Sequence, residues 1–125
     1  MIYIQIDVYS LPDIDCVGGE HQRLMFYLKT RKGHPFNLDM GQAEFSIINY
    51  SNKIGVPVLS KTGSIGEDTE GVMSVVTVYI DPKETVMLYG MYVYQLILTD
   101  RYGIIEIPRQ GKLFIGKNIH RQYIL

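Results

Sequence analysis

Tryptophan is absent from this sequence, cysteine occurs once (Cys16), and histidine three times (His21, His34, His120). A single cysteine excludes an intrachain disulfide and any cysteine-rich metal site. The three histidines lie far apart and in no ligand spacing, so no metal and no cofactor is expected. An excess of one charge is also missing. Twelve basic against 13 acidic residues leave a net charge of -1, without the clustered basic face that nucleic acid requires. No apolar run is long enough for a membrane helix. The N-terminus, Met1-Ile2-Tyr3-Ile4-Gln5-Ile6-Asp7, lacks the basic opening of a secretory signal and reads as a strand.

Catalytic signatures are equally scarce. There is no Gly-x-Ser-x-Gly elbow and no glycine-rich phosphate loop opening a helix. Cys16 has no cationic neighbour in sequence to lower its pKa. Asp13, Asp15 and Glu20 lack the graded positions of a calcium loop, and Glu67, Asp68 and Glu70 read as a solvated acidic run. The chain is expected not to be an enzyme.

What is present is an ordinary globular composition, 46% hydrophobic and 20% charged, in 125 residues, enough for one domain with its own core. Period-two alternation recurs along the chain. It predicts strands over Ile2–Val8, Gln22–Lys29, Ala43–Tyr50, Val56–Lys61, Val72–Ile80 and Gly90–Thr99. Ile104–Ile107 and Gly111–Ile115 are expected to close the chain as a hairpin-like pair. Pro57 lacks an amide donor and marks the fourth of these as an edge strand. Residues 10–19 and 63–71 carry turn formers and are expected to be loops. At most one helical turn is expected within 81–88. Short strands at near-regular spacing predict an all-β fold, an immunoglobulin-like antiparallel β-sandwich of seven or eight strands. The sandwich should occupy residues 1–118, and 119–125 a C-terminal tail that docks on this domain or on a partner.

The most informative stretch is Leu88-Tyr89-Gly90-Met91-Tyr92-Val93-Tyr94. In immunoglobulin-like sandwiches a tyrosine near the start of strand F bonds back to the backbone of the preceding corner, two residues before an inward core position. Gly90 permits the tight entry, Tyr92 takes the corner, and Tyr94 takes the place of the core cysteine of disulfide-bonded relatives. Parity sends Tyr92, Tyr94, Leu96 and Leu98 inward, and Met91, Val93, Gln95 and Ile97 outward.

Around this motif a wider pattern emerges: Phe26-x-Leu28, Gly33-x-Pro35-x-x-Leu38, Ala43-x-Phe45-x-Ile47 and Gly71-x-x-x-Val75. It continues through Gly90-x-Tyr92-x-Tyr94-x-Leu96-x-Leu98-Thr99-Asp100 and ends on Gly103 and Gly111-x-Leu113-x-Ile115. Over residues 20 to 118 the chain resembles the immunoglobulin-like N-terminal domains of phage baseplate upper proteins and tail-fibre proteins. Such proteins usually continue into a trimeric helical stalk, which is not found after the last predicted strand. The resemblance implies a non-catalytic assembly module made in a bacterial cytoplasm without a signal peptide and destined for the virion. Its expected partners are other phage structural proteins and copies of itself, with neither nucleic acid nor membrane among them. Outward Met91, Val93, Ile97 and Ile48, with Ile119, Tyr123, Ile124 and Leu125 of the tail, form the candidate interface. A carbohydrate-binding sandwich is the alternative, with a glycan stacked on Tyr50, Tyr89 or Tyr102.

Overall fold

The computed structural model describes residues 11–30 and 32–125, so the expected Ile2–Val8 strand lies outside the described residues. The elements are β1 (Ile14–Val17), β2 (Gln22–Tyr27), β3 (Gln42–Asn49), β4 (Leu59–Gly66), β5 (Val75–Ile80), α1 (Pro82–Thr85), β6 (Gly90–Thr99), β7 (Ile105–Glu106), β8 (Gly111–Gly116) and α2 (Arg121–Ile124). Among these residues the strands follow one hydrogen-bonded path, β1-β8-β6-β3-β4-β5-β2, with β7 paired to β6. The all-β, immunoglobulin-like assignment holds. β8, β6, β3 and β4 take the places of strands G, F, C and C′ in one layer, while β2 and β5 stand as B and E in the other.

β4 joins the layers. Its first half, Leu59 to Gly63, pairs with β3, and Ser64 to Gly66 turn to pair with β5. A strand that changes sheets closes one side of a sandwich and leaves a curled half-barrel. The sandwich interior is then lined by alternate residues, among them Leu24 and Phe26 from β2, Ala43, Phe45 and Ile47 from β3, and Val76 and Val78 from β5. The rings of Phe26, Phe45 and Tyr94 meet at its centre, with centroids 5.8 to 6.4 Å apart. They occupy the region where antibody domains hold a disulfide against tryptophan.

Several expectations are corrected. Residues 14–17 are a strand rather than loop, because parallel pairing with β8 supplies their backbone partners. β4 runs on to Gly66, so the first four residues of the expected 63–71 loop are strand, and it lies between β3 and β5 rather than at an edge. Pro57 precedes the strand, so its missing donor never enters the ladder. β7 and β8 do not pair with each other. Both lie on β6, where Thr99 faces Ile105 and Tyr94 faces Gly111. α1 is one helical turn starting at Pro82, within the stretch the sequence marks, whereas the turn α2 in the tail is not expected from the sequence.

Candidate interaction surface

The corner motif sets the start of β6. Gly90 has φ +107°, a left-handed conformation that side chains rarely adopt. Tyr92 is buried, and its hydroxyl donates to the Tyr89 carbonyl at 3.2 Å, a bond worth about 1 kcal/mol net. The preceding turn is held by Glu84, whose carboxylate accepts the Asp81 N–H at 2.9 Å and pairs with Lys61 at 2.8 Å. Burial opposes ionisation of Glu84, but the bonds from Lys61 and the Asp81 amide outweigh it and hold the carboxyl below the usual range. Tyr94 is fully buried and donates to the Pro12 carbonyl.

With β6 fixed, its register places the outward residues. Met91 faces Phe114 across β8, and on its other side its carbonyl accepts the Tyr50 N–H at 3.1 Å. Val93 lies between Ile48 and Lys112. Ile97 faces Glu44 and is half-buried, as is Ile48. Met91 is exposed, but Val93 retains only 6% of its surface, so the outward expectation fails for it. The reason is the loop between β3 and β4. It folds back so that Lys53, Gly55 and Pro57 wall a pocket of about 220 Å³ together with Ile48, Val93 and Gln95. The same loop leaves Ile54 (99%) and Val56 (86%) bare.

The tail emerges at this end, because β8 finishes where β6 begins, Ile115 facing Gly90. The Asn118 side-chain amide donates to the Gly18 carbonyl at 2.8 Å, and half-buried Ile124 packs beside Gly19. Ile119 (98%), Tyr123 (82%) and Leu125 project into solvent.

Four cations frame the aromatic residues here. The amines of Lys53 and Lys112 lie 4.1 and 5.9 Å from the centre of the Tyr50 ring. Lys117 and Arg121 lie 5.4 and 5.7 Å from that of Tyr89. Each contact at an exposed site contributes about 0.5–1 kcal/mol and biases where the positive charge stands. Among the described residues the ion pairs are Lys61–Glu84 and Arg101–Asp39, and neither involves these four. Asp13 accepts the Lys112 backbone N–H at 3.1 Å, and Asp15 stands opposite Phe114 on β1. The surface is thus an aromatic and thioether strip, Tyr89, Met91, Tyr50 and Phe114, edged by cations that enter no ion pair among the described residues. Sequence reading had placed Met91 on it but not Phe114, although its outward position follows from the same alternation that buries Leu113 and Ile115. Tyr50 and Tyr89, which the sequence offers as strand-end tyrosines for a glycan, come to the strip through the Tyr50–Met91 backbone bond and the entry to β6.

The titratable groups elsewhere are arranged differently. His21, His34 and His120 sit exposed in separate segments, His120 against the Tyr123 ring at 5.8 Å. Burial, reinforced by Glu20 and Asp15, pushes the Cys16 thiol from 9.0 up to about 11, which keeps it protonated at neutral pH. At the far end of β4 the loop through Glu67, Asp68 and Glu70 is organised by one carboxylate. Asp68 accepts the Val72 and Glu70 amides at 3.0 and 2.8 Å and the Ser74 hydroxyl at 2.9 Å. The bond from Val72, above all, holds its carboxyl below the usual range, while Glu67 and Glu70 stay exposed.

No family model matches the sequence, and no curated protein matches it. Among solved structures, the chain is similar to the N-terminal domain of phage TP901-1 ORF48, with a TM-score of 0.62 at 10% identity. That likeness covers 92% of this chain and 97% of the other. The fibronectin(III)-like modules of Clostridium thermocellum CbhA align over 87% of this chain and 89% of theirs, at 11% identity and a TM-score of 0.42. The first of these shows a shared fold over most of both chains.

Proposed function

We propose that this chain is a non-catalytic structural module of a phage or prophage particle, acting through contacts with other particle proteins. The observation that carries the reading is the fold shared with the phage TP901-1 ORF48 domain across nearly the whole of both chains. The same fold serves many functions, so the surface must agree with the assignment. The exposed Tyr, Phe and Met side chains of the strip support it, because aromatic residues and Met are enriched at protein contacts. Among the described residues, burial keeps Cys16 protonated and the three histidines stand in separate segments. Sugar stacking is less well served, because cations already stand against the rings of Tyr50 and Tyr89. Tyr102, 80% exposed, is the tyrosine left for it.

The test is co-sedimentation. In a lysate of the strain that encodes it, the chain should band with intact particles in a caesium chloride gradient and remain there after a wash. Recovery solely in the free-protein fractions contradicts the proposal.

A further inference from the structure

We infer that the cation-edged strip receives a second copy of this chain, which seats on it the acidic β4–β5 loop carrying Glu67, Asp68 and Glu70. The inference rests on the assembly reading above and names the partner and the mode of contact.

The argument is charge complementarity between two surfaces of one molecule. The loop Tyr50 to Val58 enters β4 and the acidic loop leaves it, so the two stand at opposite ends of an eight-residue strand, roughly 25 Å apart. At the first end the side chains of Lys53, Lys112, Lys117 and Arg121 stand against tyrosine rings and, among the described residues, enter no ion pair, while Asp13 accepts only the backbone N–H of Lys112. At the second, three carboxylates fall within four positions, and Lys29 acts on Asp68 as the opposing cation. Asp68 is kept ionised by its own loop, and its three hydrogen bonds fix the loop that presents Glu67 and Glu70 outward. The two ends of β4 therefore present clusters of opposite sign, cations around Tyr50 and Tyr89 and carboxylates at Glu67, Asp68 and Glu70, with Asp13 and Lys29 as the opposing charge within each. Opposite patches attract and set register, whereas like patches repel, so copies meet head to tail. Such a contact is heterologous: it repeats from copy to copy and either closes into a ring or extends as a stack. The exposed Ile54 and Val56 beside the cations give the contact apolar area that charge alone would lack.

Light scattering of the full chain across a wide concentration range, at low and at high salt, tests this. The parent should form oligomers at low salt that dissociate near 1 M salt, where screening shrinks to about 3 Å. Lys53→Glu with Lys112→Glu should raise the dissociation constant more than tenfold, and so should Glu67→Lys with Glu70→Lys. All four side chains are at the surface, and overlaying melting curves would show that both variants remain folded. Mixed in equal amounts, the two variants should associate again, because every contact between unlike copies restores opposite charges. A parent that is monomeric at low salt overturns the inference, as does an oligomer indifferent to salt and to both charge reversals. A chain that bands with particles yet stays monomeric removes this inference alone. One that assembles with itself but is absent from particles removes the phage reading and leaves the contact.

Discussion

Replacing Tyr94 with alanine is expected to cost about 3–5 kcal/mol of stability, the range for emptying a buried aromatic position. Against a typical total of about 5–15 kcal/mol, this brings the domain close to unfolding at ambient temperature. The magnitude follows from where the ring sits. Tyr94 is the fully buried member that β6 contributes to the three-ring cluster, in contact distance of Phe26 from β2 and Phe45 from β3, so it ties the two layers together. Tyr94→Phe separates packing from polarity. It keeps the ring and loses the bond to the Pro12 carbonyl, and because Pro12 is at the surface, water can replace the donor. That variant should lose about 1 kcal/mol. Urea denaturation of the three proteins measures both steps. An alanine variant within 1 kcal/mol of the parent (about the worth of the single hydrogen bond) would contradict the assignment of the core.

The same residue controls behaviour in alkali. Burial, with a smaller contribution from Asp13, raises the Tyr94 phenol above its ordinary 10.0, so the folded state resists an ionisation that the unfolded chain accepts. Stability is then fully present below the unfolded value near 10 and lost as pH rises beyond it. Cys16 acts in the same sense from 9.0 to about 11. Tyr94→Phe should therefore flatten the alkaline limb of the stability curve, leaving the thiol's share in place.

Gly111→Ala is the second large effect, expected at about 2 kcal/mol from overpacking. A methyl at this position would lie 2.6 Å from Cε1 of Tyr94 and 2.7 Å from the Pro12 carbonyl oxygen. It would strike both partners of the hydrogen bond that fixes the start of the described chain to the core. Gly66→Ala is the control. Nothing lies within 4 Å of its added methyl and its φ is unremarkable, so restricting the unfolded chain should leave stability unchanged or raised by about 0.4–1 kcal/mol. Combining Gly111→Ala with Tyr94→Ala should cost less than the sum, since the second change removes the ring that the first one strikes. Thermal melts of the set decide it, and strict additivity would mean the two positions do not touch.

How much of this was legible beforehand depends on which forces acted locally. Strands whose alternation is carried by large side chains, as in Leu24-Met25-Phe26 or Tyr92 to Leu98, were readable because one face must be dry. β1 was not, since Ile14-Asp15-Cys16-Val17 sits among turn formers and owes its extension to a partner almost a hundred residues away. β4 was misjudged at both ends for a related reason. Leu59-Ser60-Lys61-Thr62-Gly63-Ser64-Ile65-Gly66 has weak strand propensity, and hydrogen bonds from β3 on one side and β5 on the other hold it. At the candidate surface, parity correctly turned Met91 outward, whereas Val93 disappeared beneath a loop that parity does not see. Tyr50 joined the strip only through register, and the cations only through folding.

The claim that this strip is a contact within the particle can be tested by hydroxyl-radical footprinting of the chain in purified particles and free in solution. The account predicts that Met91 and Tyr50 are oxidised several-fold more slowly in the particle, while exposed Tyr79 on β5 reacts alike in both. Equal oxidation of Met91 and Tyr50 in the two states would contradict it.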